Sequence, residues 1–194
     1  KLDGVRAIAI GSAAEGFVFY SRTGKAFQST QHLSDQLVAA LNAIGGKVGG
    51  YRWALDGELV TAGDRDFNSS VSAARRHQDR ADLEFHVFDM LAGQAFMAQS
   101  PQPLPDAKRR KLLLKVCKEA GEGSALLPIV RKIAHSEDEV MAEFSKIRQA
   151  GGEGVIVKPM DALYEYKRSR GWLKVKDLDS VDVKIVGFEP GSKH

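Results

Sequence analysis

Two short apolar stretches, 5–10 and 16–20, open the chain with Gly11 to Glu15 between them, the pattern of a β-hairpin. Ser21-Arg22-Thr23-Gly24-Lys25 follows as a turn. The period then lengthens. Leu37, Val38, Leu41 and Ile44 recur at helical spacing, so a helix is predicted over 34–44, ended by Gly45-Gly46. Trp53 to Val60 and Leu83 to Phe88 read as strands, and a helix over Ser69 to Gln78 between them carries Arg75 and Arg76. A proline-rich turn, Ser100 to Pro105, precedes a basic helix over about 107–120. Ser136 and Glu139 form a capping-box pattern for a helix bearing Val140, Met141, Phe144 and Ile147, which Gly151-Gly152 close. Glu153 to Lys158 and Gly171 to Val175 read as strands. Helices and strands mix without regular βαβ alternation, so the class is α+β and a Rossmann layout is disfavoured. From Asp179 to Asp182 the character changes, and Val183 to Phe188 is one more alternating strand.

Composition narrows the picture. A chain of 194 residues, 43% apolar, holds one large domain or one domain plus a fragment, with its own core. The net charge of +3 is compatible with a nucleic-acid partner without requiring one. The single cysteine, Cys117, makes no internal disulfide and reads as a buried small hydrophobe, which points to a reducing, cytoplasmic setting. The five histidines lack paired ligand spacing, and no apolar run reaches membrane-spanning length. Gly45-Gly46-Lys47-Val48-Gly49-Gly50 lacks the pattern of a phosphate loop and reads as a flexible turn. Lys108-Arg109-Arg110-Lys111 reads as a solvated helix start.

Chemistry concentrates in an ordered set of short motifs: Lys1-Leu2-Asp3-Gly4-Val5-Arg6, Asp56-Gly57-Glu58, Phe85-His86-Val87-Phe88-Asp89, Glu153 to Lys158, and Trp172 to Lys176. Lys174 and Lys176 stand two apart on a strand and face one side, which is costly unless an anion sits between them. Trp172 shares their parity, at a pocket edge or shielding the core. Phe85 and Phe88 face opposite sides under strand alternation, so at most one reaches a pocket. Asp56-Gly57 alone is an ordinary hairpin signal. Spacing leaves open which face Lys158 takes.

Taken together, these motifs resemble the adenylation domain of ATP-dependent DNA ligases, within the covalent nucleotidyltransferases that include RNA ligases and capping enzymes. The resemblance covers Lys1 to about Lys176. It implies an α+β nucleotidyltransferase fold of ATP-grasp-like antiparallel sheets with flanking helices over 1–178, and the truncated start of an OB-fold over 179–194. It makes Lys1 the nucleophile that takes AMP from ATP, with Asp3 assisting the later step at the nick. A lysine nucleophile must react as the neutral amine, and neighbouring cations such as Lys174 and Lys176 favour that form. By the same resemblance Arg6 contacts the ribose or the phosphate edge, Glu58 binds the ribose, and Phe88 stacks on adenine. Glu153 is the carboxylate linked to Mg²⁺, and Lys174 and Lys176 meet the α-phosphate. Ser21-Arg22-Thr23-Gly24 matches a DNA-ligase element that gives Arg22 the 5′-phosphate of a nick and Lys25 nearby backbone; a solvated turn explains the same residues. Lys167, Arg168 and Arg170 are DNA contacts or a solvated loop in equal measure.

The expected partner is nicked duplex DNA, bound by a monomer. The rival enzymes are a capping guanylyltransferase, an RNA ligase and an NAD-dependent ligase; the rival of another class is a non-catalytic DNA-binding module of the same fold. Because the sequence starts at the nucleophile and stops in a loop early in the OB region, a fragment or a missing leader is expected, with weak or absent self-adenylation by these 194 residues alone.

Overall fold

Alternation in β1 (Val5–Ser12) sorts its side chains into two sets: Ala7 and Ala9 are fully buried on one face, while Arg6, Ile8 and Ile10 occupy the other. A computed structural model describes residues 2–63, 67–167, 171–177 and Gly187. β1 pairs antiparallel with β2 (Gly16–Ser21), as the hairpin pattern requires, with Ser12 opposite Gly16. The helix α1 (Gln31–Ile44) starts three residues earlier than its apolar period. The glycine-rich stretch expected as a flexible turn contains a five-residue helix, α2 (Gly46–Gly50). β3 (Trp53–Thr61) pairs with β1 and, after α3 (Phe67–Ala74), with β4 (Leu83–Ala92). α3 ends before Arg75 and Arg76, four residues short of the predicted helix.

The short α4 (Gly93–Met97) leads to α5 (Asp106–Glu119), and then to a strand the sequence pattern missed, β5 (Leu126–Pro128). β5 pairs parallel with β4, so the five-stranded sheet, in order β2-β1-β3-β4-β5, is mixed rather than purely antiparallel. With three residues and a proline, β5 carries too short a pattern to be read in advance. α6 (Glu137–Gln149) is capped as expected: Ser136 Oγ accepts from the Glu139 amide at 3.2 Å, and Glu139 accepts from the His135 amide at 2.8 Å. β6 (Gly154–Val157) and β7 (Leu173–Lys176) form a separate antiparallel ribbon. The boundary expected at 178/179 and the strand over 183–188 lie outside the described residues. No helix among the described residues is long and apolar enough to cross a membrane.

Two apolar clusters cover the two faces of the large sheet. On one, Phe19 and Phe85 meet edge-on at 5.0 Å between ring centres, under Leu33, Leu37 and Leu41 of α1 and Leu113 and Val116 of α5. On the other, Ala54 and Leu91 pack with Tyr164, bordered by Ile8, Ile10, Phe96, Tyr166 and Trp172.

The ladder between β3 and β4 is broken once. Asp56 pairs with Asp89 and Gly57 with Val87, so Phe88 is the extra residue of a β-bulge. Up to Val87 the odd-numbered side chains of β4 enter the first cluster; beyond the bulge Met90 takes that face. A Cβ at Gly57 would lie 2.5 Å from the Phe85 ring, so only glycine fits beside the bulge.

The basic start of α5 is not solvated throughout. Arg109 is 1% exposed and grips Asp89 with two bonds, Nε to Oδ1 at 2.8 Å and Nη2 to Oδ2 at 2.9 Å, while Nη1 donates to the Leu104 carbonyl. Arg110 donates to the Ile129 carbonyl. Lys108 and Lys111 stay exposed. The four-residue run therefore splits by helical face: a charge count alone reads all four as surface, whereas Arg109 shares the inward face with Leu113 and Val116.

Removing one partner of such a pair strands the other. Arg109→Met should lower unfolding stability by about 3–5 kcal/mol. Adding Asp89→Asn should recover part of it. Urea unfolding midpoints at constant slope measure both, and a loss in Arg109→Met below about 1 kcal/mol would mean that the pair is not the anchor of α5.

Candidate active site

The Lys-x-Asp-Gly turn meets β3 through its glycine. Lys1 lies outside the described residues; Asp3 is exposed and Gly4 is buried. The Gly4 amide donates to Glu58 Oε1 at 3.2 Å. A Cβ at Gly4 would lie 2.4 Å from the Leu59 carbonyl oxygen, so the turn closes on the strand only with glycine there. Two residues on, Arg6 and Glu58 are direct cross-strand partners. The first and second motifs, more than fifty residues apart in sequence, thus sit on one patch of the sheet.

Beside them lies a buried charge that the sequence reading passed over. Asp56 is not in a hairpin turn; it is in mid-strand and 0% exposed. Its carboxylate accepts from Arg6 Nε at 3.0 Å, from Arg6 Nη2 at 2.7 Å and from the Tyr164 hydroxyl at 2.8 Å. Burial pushes the Asp56 carboxyl up, and the Arg6 guanidinium opposes that shift. The bond to Asp56 raises Arg6 further above its already high value. Burial, then the charge of Asp56, raises the Tyr164 phenol. Arg6 is thereby fixed at one end while its side chain stays 49% exposed. The nine-residue β-prone run through Asp56 was the signal that outweighed the Asp-Gly turn signal. Tyr164 sits in an irregular segment with no period to reveal it.

Phe88 and Trp172 form the aromatic part of the site. Strand alternation turns Phe88 away from the core that holds Phe85, as the parity argument requires, and the bulge leaves it without a ladder partner. Its ring lies 6.2 Å from Trp172, edge-on, and Trp172 in turn lies 6.2 Å from Tyr164. Trp172 therefore belongs to the second cluster at the sheet-ribbon junction. Lys158, whose direction the spacing left open, places Nζ 4.4 Å from the centre of the Trp172 ring and donates to Asp106 Oδ1.

On the ribbon, Gly154 pairs with Lys176 and Ile156 with Lys174. Both lysines are exposed. Lys174 Nζ lies 3.1 Å from Glu153 Oε1, so the chain itself supplies one carboxylate to this cationic face. Gly154, at φ +154°, lets β7 approach: a Cβ there would lie 2.2 Å from the Val175 carbonyl oxygen. Among the described residues no group of three or more His, Cys, Asp or Glu side chains is gathered to hold a metal. Glu153 alone fits a Mg²⁺ ion whose other ligands are phosphate oxygens and water.

Arg22 and Lys25 stand elsewhere, both exposed, on the turn that leaves edge strand β2. That turn is built: Gly24 at φ +79° donates to the Ser21 carbonyl at 2.9 Å, and the Lys25 amide to Ser21 Oγ at 3.1 Å. Of Lys167, Arg168 and Arg170, only Lys167 is described, and it is exposed.

Comparison with known proteins gives these positions a context. A DNA ligase of Thermococcus fumicolans is 27% identical over 204 residues, covering 98% of this chain and 34% of that protein. A DNA ligase of African swine fever virus is 26% identical over 197 residues, covering all of this chain and 44% of that protein. The chain thus spans less than half the length of either relative. The structure of the ATP-dependent DNA ligase of bacteriophage T7 in complex with ATP superposes with a TM-score of 0.74 over 91% of this chain and 60% of that one, at 20% identity, a likeness of fold. The family described as "ATP dependent DNA ligase domain" matches residues 1–176, from the Lys-x-Asp-Gly turn to the end of β7, and the chain belongs to that family.

Proposed function

We propose that the protein seals nicks in duplex DNA in an ATP-dependent reaction, as a monomer, through a lysyl-AMP intermediate on Lys1. The observation that carries this reading is the convergence of Gly4 and Arg6 on Glu58, which sets the start of the chain beside a carboxylate suited to a ribose hydroxyl. Phe88 supplies a ring for adenine, a contact worth about 1–3 kcal/mol per base. Lys174 and Lys176 supply charge for the α-phosphate.

In the first step the neutral Lys1 amine attacks the α-phosphorus of ATP. A nitrogen–phosphorus bond forms, the bond to the bridging oxygen breaks, pyrophosphate leaves, and the lysine gives up a proton. Lys174 and Lys176 stabilise charge that grows on the α-phosphate oxygens. Glu153 would hold a Mg²⁺ ion, which would supply positive charge against the phosphates. The AMP then passes to the 5′-phosphate of a nick, and the 3′-hydroxyl attacks that phosphate and releases AMP. Asp3 acts at this last stage. Arg22 and Lys25 hold backbone phosphates, which orient DNA without reading its sequence. Residues 179–194 begin an OB-fold domain in this reading.

Intact-mass analysis of the complete polypeptide with ATP and Mg²⁺ tests the proposal. One AMP should be gained, map to Lys1 and be discharged by nicked DNA. Lys1→Ala should gain none while still binding DNA. An adduct formed from GTP in place of ATP would move the reading to a capping enzyme, and the absence of any adduct would favour a non-catalytic binding module. Lys174→Ala should slow adduct formation by about 10²–10³-fold, the usual cost of losing a donor to a developing oxyanion; a rate within threefold of the parent would remove Lys174 from the phosphate site. Arg22→Ala should weaken binding to nicked DNA and reduce the slope of log affinity against log salt by about 1. An unchanged slope would take Arg22 out of the DNA interface.

A further inference from the structure

Asp106 is the first residue of α5, yet its side chain is turned inward and is only 7% exposed. Oδ1 accepts from Lys158 Nζ, and Oδ2 from Arg131 Nη1 at 2.6 Å. Arg109 Nη2 lies 3.5 Å from Oδ1. Arg131 reaches on through its other nitrogen, Nη2, to donate to the carbonyl of Phe88. Lys158 lies against the face of Trp172, the ring beside Phe88. One carboxylate therefore reaches, through two cations, both the main chain at the bulge and the aromatic ring across from it.

Stability alone does not account for this cluster. Desolvation pushes the Lys158 ammonium below its usual value, with the bond to Asp106 opposing. Burial also works against the Asp106 carboxylate, but Lys158 and Arg131 outweigh it and hold its pKa below the usual range. Buried ion clusters of this kind add little over apolar packing of the same volume. What they add is fixed geometry, because each bond has a direction.

We infer that Asp106 is a positioning residue for the nucleotide pocket: through Arg131 it sets the bulged Phe88, and through Lys158 it sets an ammonium and the Trp172 ring. This deepens the adenylation reading and rests on it for the identity of the nucleotide.

Asp106→Asn is the test. The amide keeps the shape and one acceptor but turns an NH₂ group toward the second cation, so either Lys158 or Arg131 is released. Two readouts are taken on the complete polypeptide: the emission of Trp172, isolated by subtracting the spectrum of Trp172→Phe, and the ATP concentration giving half-maximal rate of AMP-adduct formation. The variant should shift Trp172 emission and raise half-saturating ATP about tenfold, with the maximal rate within about twofold of the parent. In a Lys158→Met, Arg131→Gln background the same substitution should change neither, because both links from the carboxylate to Phe88 and Trp172 are then gone. Unchanged emission and half-saturation, an equal effect in that background, or a lowered thermal midpoint with neither readout moved would each overturn the inference. If the parent forms no adduct with ATP, the ligase reading falls while emission still decides the role of Asp106. A shift that depends on Lys158 and Arg131 retains it, and an unshifted spectrum overturns it.

Discussion

Two carboxylates facing each other in mid-sheet constrain everything built around them. Asp56 and Asp89 are cross-strand partners at the bulge, at 0% and 1% exposure, and the charge of Asp89 adds to the burial that pushes Asp56 up. Like charges so close and so dry are tolerated only if each has its own cation. Arg6 comes to Asp56 from β1 and Arg109 comes to Asp89 from α5, on opposite sides of the same backbone irregularity. The result fixes more than two ion pairs. It ties α5 to β4, it holds Arg6 half out of the sheet beside Glu58, and it leaves Phe88 as the one unpaired residue between them.

In the proposed reading the sheet supplies Gly4, Arg6, Glu58 and Phe88, and the ribbon supplies Glu153, Lys174 and Lys176. No backbone ladder joins sheet and ribbon among the described residues. They are connected by side chains: Tyr164 to Asp56, Trp172 to Phe88 and Tyr164, Lys158 to Asp106. The segment from 158 to 172 contributes to every one of those contacts. Tyr164, Tyr166 and Trp172 carry polar or amphipathic rings, which pack together while their polar atoms keep partners or solvent.

Much of the fold was legible because periodicity reports burial directly. The hairpin, the 3.6-residue run of α1, the capping box at Ser136 and the ribbon strands follow from it. What escaped was decided by tertiary partners. The strand read over Trp53 to Val60 includes Asp56, but its burial escaped, because the sequence does not say that Arg6 and Tyr164 will neutralise a mid-strand acid. Arg109 reads as solvated because its partner Asp89 lies twenty residues away on another element. β5 has too few residues for any pattern, and it forms because β4 offers it an edge. The motif residues themselves were legible, and geometry joined them: the amide of Gly4 to Glu58, and Lys174 to Glu153.

The ion pairs of the site fall into two energetic kinds, and the division matches their places. Arg109–Asp89 is enclosed and doubly bonded, so neither partner can leave without stranding a buried charge. Lys174–Glu153 is 40% and 31% exposed, a kind of pair that contributes about 0–1 kcal/mol and exchanges readily. In the proposed reaction a phosphate arriving at Lys174 would displace only this weakly held pair. Enclosed charge thus lies between α5 and the sheet, and exposed charge lies on the ribbon. That distribution is what the proposed AMP transfer would require: a frame that stays fixed while the anionic occupant changes.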